Sequence, residues 1–167
     1  MKISTKGRYA LTLMMDIAAN GGEKPISIKE IAQRHGISDK YLEQIISILN
    51  NAGFVRSVRG PQGGYVLRKK PEEYTAGMIL RRAEGSLAPI ACVEEDGPGC
   101  DRMESCATFE LFERLNKAIS SVVDEVTLAD LVSWQQTGNE NREKKSEESQ
   151  ISDSVRNKDS FFFHNNS

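Results

Sequence analysis

The chain has 167 residues, 38% hydrophobic and 28% charged, with a formal net charge of -2, which is ordinary for one globular domain with a tail. No apolar run approaches the ~20 residues needed to span a bilayer, and the opening Met-Lys-Ile-Ser-Thr-Lys-Gly-Arg-Tyr lacks a signal-peptide core, so a cytoplasmic protein with no membrane partner is expected. The two histidines, His35 and His164, are isolated, and neither a nucleophile elbow nor a phosphate loop is present, which argues against an enzyme.

The net charge conceals an asymmetry. Residues 1–70 carry 12 Lys+Arg against 5 Asp+Glu, residues 71–136 carry 5 against 13, and the last 31 residues carry 5 against 6. A basic first half suits a polyanion, because neutralising phosphates releases counterions.

Taken in order, Thr5 is placed to cap a helix from about Lys6 to Asn20 with Ala10, Leu13, Met14, Ile17 and Ala18 on one face. Asn20-Gly-Gly stops it. Ser27-Ile-Lys-Glu30 is a capping-box pattern opening a second helix with Ile28, Ile31 and Ala32 inward, ending near His35-Gly36. Ser38 is placed to cap a third, from Asp39 to about Ala52, with Leu42, Ile45, Ile46 and Leu49 inward. Two short helices around a tight Gly-containing turn form a helix-turn-helix pattern, whose second helix would enter the major groove. Lys40, Tyr41, Glu43 and Gln44 lie off the apolar stripe. Gln can contact adenine in bidentate fashion, Glu can accept from cytosine, and Lys40 can grip phosphate or read a base.

Val55–Val58 and Tyr65–Leu67 are β-prone runs joined by Arg59-Gly60-Pro61-Gln62-Gly63-Gly64, a hairpin with a Gly/Pro-rich tip. An Arg there suits the narrow minor groove. After Pro71, Thr75 caps a helix from Ala76 to about Glu84, and the chain enters a loop holding all three cysteines, Cys92, Cys100 and Cys106. Thiols stay reduced in a cytoplasm, so an odd cluster of three points to metal or redox chemistry. From about Ala107 a long helix places Phe109, Phe112, Leu115, Ile119 and Val122 at helical spacing, the pattern of a dimer seam. Thr127 to Asp130 opens a last short helix with Leu128, Leu131, Val132 and Trp134. Residues 137–167 are polar apart from Ile151, Val155 and Phe161 to Phe163 and read as a disordered tail.

The fold expected is therefore mainly α. It comprises a winged helix-turn-helix domain with a β-hairpin wing (1–70), a short helix and connector (71–91), a cysteine loop (92–106), a long C-terminal dimerisation helix with a final short one (107–136), and the tail (137–167).

Lys6-Gly-Arg-Tyr-Ala10, Ile37-Ser38 with Tyr41-Leu-Glu-Gln44, and Val58-Arg-Gly-Pro61 with Gly63-Gly-Tyr65, followed by three cysteines, strongly resemble the IscR/NsrR group of winged-helix regulators. The resemblance covers about residues 1–135. It implies a homodimeric bacterial transcription factor on an approximately palindromic duplex operator, closest to the IscR-like regulators, usually repressors of iron–sulfur assembly genes. It also implies DNA contacts at Ser38, Tyr41, Glu43 and Gln44 on the recognition helix and at Arg59, Gly60 and Pro61 on the wing, with Cys92, Cys100 and Cys106 holding an iron–sulfur cluster, 2Fe-2S favoured and 4Fe-4S possible. Two departures stand out. Lys40 occupies a position that is commonly Ser in the IscR-like pattern. Phe109 stands where those proteins place a ligating His three residues after the last Cys, and Arg8 stands where NsrR-like relatives place an acidic ligand from the partner.

The Cys-x7-Cys-x5-Cys spacing is wider than the paired cysteines of structural zinc, and thiolates suit iron–sulfur clusters as well as zinc. A nitric-oxide-responsive repressor of the same group, a cluster-free thiol switch and a metal-binding interaction module remain as alternatives.

Overall fold

The computed structural model describes residues 2–22, 24–95, 97 and 100–142. Its first helix, α1 (Thr5–Asn20), is capped by Ser4 rather than Thr5. The Ser4 hydroxyl accepts the N–H groups of Lys6 and Gly7 at 3.1 and 3.4 Å. Ala10, Leu13, Met14 and Ile17 are buried, as the helical spacing requires. Helix α2 (Ile28–His35) starts at the expected capping box, Ser27 and Glu30 each satisfying the other's backbone N–H. It ends at Gly36, whose φ of 63° is a left-handed turn conformation that a side chain would disfavour.

Helix α3 (Asp39–Asn51) buries Leu42, Ile45, Ile46 and Leu49. Ser38 precedes it, yet its side chain makes no capping hydrogen bond. Its carbonyl takes the N–H groups of Tyr41 and Leu42 instead.

Strands β1 (Val55–Val58) and β2 (Gly64–Leu67) pair antiparallel, Val55 opposite Leu67 and Val58 opposite Gly64. Ile26 adds a third rung: its N–H donates to the Tyr65 carbonyl at 3.0 Å, and the Tyr65 N–H donates back at 2.9 Å. Two exchanged bonds fix the hairpin against the entry to α2, a pairing with no local sequence signature.

Helix α4 (Ala76–Glu84), capped by the Thr75 hydroxyl, buries Ala76, Ile79, Leu80 and Ala83, of which Ile79 and Ala83 join the core built by α1 and α3. The cysteine loop follows, with short 3-10 turns at Ala91–Val93 and Met103–Ser105. Helix α5 (Phe109–Glu125) buries none of its residues. Phe109, Phe112 and Ile119 are half-buried, whereas Leu111, Leu115 and Val122 are 56%, 43% and 62% exposed.

Thr127 and Asp130 cap a closing helical stretch reciprocally, at 2.9 and 3.1 Å, and residues 128–132 are helical with Leu128 buried. A separate unit begins at Ser133, and residues 133–142 of it are also helical. Helix thus continues past Gln136, so residues 137–142 are not the disordered segment expected. Their side chains are exposed, and a helix with no buried face leaves no apolar period to read. Trp134, expected on the apolar face, is 59% exposed. The rest of the tail, including Phe161 to Phe163, lies outside the described residues. Among the described residues no helix is long and apolar enough to cross a membrane.

One charged side chain is buried among the described residues, Asp16 of α1. Arg34 donates to both of its oxygens, through Nε at 2.9 Å and through Nη2, and His35 Nε2 lies 2.8 Å from Oδ2. Burial pushes this carboxyl up, but the hydrogen bonds from Arg34 and His35 outweigh it and hold its pKa below the ordinary 3.8. The carboxylate therefore pins the end of α2, and with it the helix-turn-helix turn, onto α1. Asp16→Asn is expected to cost about 2 kcal/mol by urea denaturation at neutral pH, because charge-assisted bonds are lost while Arg34 still reaches water. A depressed folded-state pKa means the stabilisation is complete above the unfolded value and disappears as pH falls through the folded one. The wild-type advantage over this variant should accordingly begin to decline below about pH 4 and be lost only once pH has fallen through the lower folded-state pKa.

Candidate nucleic-acid interface and cysteine loop

Helix α3 is buried along one side only, so the spacing that directs Leu42, Ile45, Ile46 and Leu49 inward directs Lys40, Glu43 and Gln44 outward, and all three are exposed. Ser47 completes this face at i+7 from Lys40 and is also exposed. The helical period alone identifies it, although no motif does. Tyr41 departs from the expectation of a free surface position: it is half-buried, its ring edge-on to Tyr9 of α1 with centroids 5.8 Å apart. An aromatic there gains from packing, so Tyr41 fixes α3 against α1. Ser38 is exposed with an uncommitted hydroxyl, available to a phosphate.

Arg59, Gly60 and Pro61 are exposed at the tip of the β1–β2 hairpin, where the turn is closed by the Gly63 N–H donating to the Gly60 carbonyl at 3.0 Å. Arg56 of β1 is exposed too. It alternates with buried Val55, a strand-period signal that places a second cation on the wing's outer face. A narrow helix face of donors and acceptors beside a cationic β-hairpin can read base edges in one groove while the wing follows the backbone or the minor groove.

The cysteine loop begins after α4 and ends at the first turn of α5. Cys92 and Cys106 are half-buried, Cys100 is exposed, and all three are free thiols. The Thr108 hydroxyl lies 3.3 Å from the Cys106 sulfur. That hydroxyl first, then the N–H groups of Thr108 and Phe109 and the nearby Arg102, hold the Cys106 thiol below its ordinary range. The start of the loop is fastened to α5, where the Asn116 side chain donates to the Val93 carbonyl at 2.9 Å.

By donor chemistry, three thiolates in one accessible segment fit an iron–sulfur cluster; by number, they are one ligand short, since Phe109 offers no donor atom. Among the described residues no three His, Cys, Asp or Glu side chains converge as a metal site. The three cysteines, neighbours in sequence, are therefore not drawn together in this conformation.

A family model, Rrf2, described as an iron-dependent transcriptional regulator, matches residues 3–133. The HTH-type transcriptional regulator CymR of Bacillus subtilis is 47% identical over 134 residues, spanning 80% of this chain and 91% of that protein. The HTH-type transcriptional regulator IscR of Aliivibrio salmonicida is 42% identical over 132 residues, 79% of this chain and 77% of that protein. Among solved structures, CymR, described as the global cysteine regulator of B. subtilis, superposes with a TM-score of 0.68 at 46% identity, covering 80% of this chain and 98% of that one. An IscR from T. potens does so with a TM-score of 0.64 at 42% identity, covering 80% and 87%. By family match, identity and fold together, the chain belongs to the Rrf2 family of winged-helix transcriptional regulators, which are DNA-binding proteins and not enzymes.

Proposed function

We propose that the protein is a homodimeric repressor whose cysteine loop carries an iron–sulfur cluster and whose operator affinity follows the state of that loop. The observation that carries this reading is placement. All three cysteines lie in the one segment that joins α4, packed on the winged domain, to α5, whose Leu111, Leu115 and Val122 face outward. A helix with that much exposed apolar surface calls for a second copy of itself. Each protomer then sets α3 in a major groove and the Arg59 wing beside it, on an approximately palindromic duplex.

Cys92, Cys100 and Cys106 are the residues that would hold the cluster. When bound, such a centre supplies a redox-active group whose gain or loss changes the charge and shape of the loop. The resemblance to IscR-like regulators directs the repression to genes of iron–sulfur assembly; a nitric-oxide-responsive repressor of the same family is the neighbouring reading. A second reading is favoured by a specific observation: the three thiols are free and do not converge, and the CymR relative is described as a cysteine regulator. On that reading the loop is a thiol switch without a metal.

Anaerobic reconstitution with iron and sulfide separates these readings. The wild type is expected to gain stoichiometric iron, sulfide and a visible charge-transfer band, each lost in Cys92→Ala, Cys100→Ala and Cys106→Ala. A colourless wild type whose operator affinity still responds reversibly to peroxide and dithiothreitol would establish the thiol switch. Operator release by limiting nitric oxide, applied to the loaded protein, would mark the nitric-oxide responder.

For DNA, a duplex selected by the wild type from a randomised pool is the probe. Gln44→Ala should cost about 1–3 kcal/mol of discrimination at one base pair. Arg59→Ala should weaken binding across sites and flatten its salt dependence. Binding by Arg59→Ala equal to wild type at every salt concentration would remove the wing from the interface. Leu115→Asp should sediment as a monomer, and an unchanged dimer would move the seam off α5.

A further inference from the structure

Helix α4 ends in a carboxylate that serves another helix. Glu84 Oε1 accepts from the Ser4 N–H at 3.0 Å, the Ser4 hydroxyl at 2.6 Å and the Gly7 N–H at 2.8 Å. It thereby sits on the positive N-terminus of α1, 80 residues away in sequence. Gly7 is buried at this contact, and a Cβ there would run into the Glu84 carboxylate. The carboxylate is not needed to form the helix end, because the Ser4 hydroxyl already accepts from Lys6 and Gly7. The Gly7 N–H is thus shared between a local cap and a distant one, and the distant bond is the shorter.

Both ends of this contact lead somewhere. Towards the recognition helix, Tyr9 lies two residues beyond Gly7 on α1, and its ring packs edge-on against Tyr41 of α3. Towards the loop, Arg81, one turn before Glu84, makes a two-pronged pair with Asp124 of α5 and reaches Ser120 at 3.4 Å. A Cβ on Gly77 would run into Asp124, so α4 and α5 are in close contact. From Glu84 the chain turns at Gly85 and runs past buried Leu87 into Cys92. One short helix is therefore held by α5 on one side, runs on into the loop, and holds the first turn of α1 on the other.

We propose that Glu84 is a positioning residue for DNA binding, which transmits the state of the cysteine loop through the first turn of α1 and the Tyr9–Tyr41 contact to the recognition helix. This rests on the reading of the loop as the effector element. A contiguous set of packed and hydrogen-bonded groups is the route.

The three loop cysteines are the only ones in the chain, so N-ethylmaleimide addresses the loop alone. The experiment compares the affinity of full-length protein for the selected duplex with thiols free and with thiols blocked, in the wild type, Glu84→Gln and Gly7→Ala. Gly7→Ala displaces the carboxylate without altering α4 and favours helix, so the two variants approach the contact from opposite sides. Amide hydrogen exchange of residues 4–9 accompanies each measurement. The wild-type ratio of affinities is expected to be about fivefold or more, the lower end for coupled sites. Blocking should also change exchange in residues 4–9. In both variants the ratio should fall to about one and the exchange response should vanish, while free-thiol proteins keep the wild-type circular dichroism and bind the duplex.

A wild-type ratio retained in both variants overturns the inference and leaves the effector loop standing. A wild-type ratio of one, with no change in exchange, overturns this inference and the thiol-switch reading with it, and the cluster reading is decided separately by the anaerobic reconstitution.

Discussion

The arrangement of the fold depends on the bonds that converge on Tyr74. Its side chain is 1% exposed, and its hydroxyl donates to the Phe54 carbonyl at 2.8 Å while accepting the Arg68 and Lys69 N–H groups at 3.2 and 2.9 Å. Burial pushes its pKa up, so the phenol keeps the proton it donates. These three bonds close the base of the wing hairpin one rung beyond the strands, where the Arg68 N–H also donates to the Phe54 carbonyl at 3.1 Å. The same residue's carbonyl accepts the Leu128 N–H at 2.8 Å, and the Ala76 N–H next to it bonds Val126 at 2.8 Å. The wing, the start of α4 and the end of α5 are thus joined within a few ångströms. The edge-on packing of Phe54 on the Tyr74 ring, centroids 5.6 Å apart, fills the remaining space.

The charge asymmetry acquires a sharper meaning from the side-chain contacts. In the basic half, Asp16 is consumed by Arg34 and His35, and Glu30 is consumed by the cap of α2, where Ser27's backbone and hydroxyl hold its carboxyl below the ordinary range. Of the remaining described acids, Asp39 and Glu43 are exposed on α3, and the helix N-terminus compensates the charge of Asp39 in the first turn. Lys40, Arg56, Arg59, Lys69 and Lys70 are exposed. The exposed cations offered to a polyanion therefore outnumber the exposed acids of the segment. In the acidic half Arg81 is tied to Asp124, a pair that leaves the net charge of the segment unchanged.

How much of this was legible in the sequence follows from whether the deciding interaction was local. The capping box at Ser27 and Glu30, the cap at Thr75, the periodic faces of α1, α3 and α4 and the paired β runs are local, and they were readable. Ser4 against Thr5 was not, because adjacent hydroxyl residues are equivalent as caps in the sequence, and only the fold shows the Ser4 hydroxyl on the Lys6 and Gly7 N–H groups. The pairing of Ile26 with Tyr65, the turning of Tyr41 towards Tyr9 and the continuation of helix to residue 142 are similarly invisible. The first two are tertiary, and the last has no apolar face to betray it. In the candidate site, the outward stripe at Lys40, Glu43 and Gln44 followed from the helical period. The separation of the three thiols did not, since sequence proximity fixes only how far apart they can be.

That separation need not be costly to close. The segment from Cys92 to Cys106 is held at both ends, at Val93 by Asn116 and at Cys106 by the first turn of α5, where the Phe109 N–H donates to the Cys106 carbonyl at 3.1 Å. Chain entropy lost on closing a loop grows only slowly with its length, and anchoring the ends in advance removes part of that loss. A binding event that gathers the sulfurs consequently spends less on ordering the loop and acts more directly on its anchors. Those anchors are Asn116 on α5 and, through Gly85, the end of α4. The absence of a donor at Phe109 fits this arrangement: with a half-buried phenyl ring at the start of α5, every soft ligand lies on the loop itself. On the proposed reading, the event sensed and the element that moves are then the same fifteen residues, and the helices on either side receive its displacement.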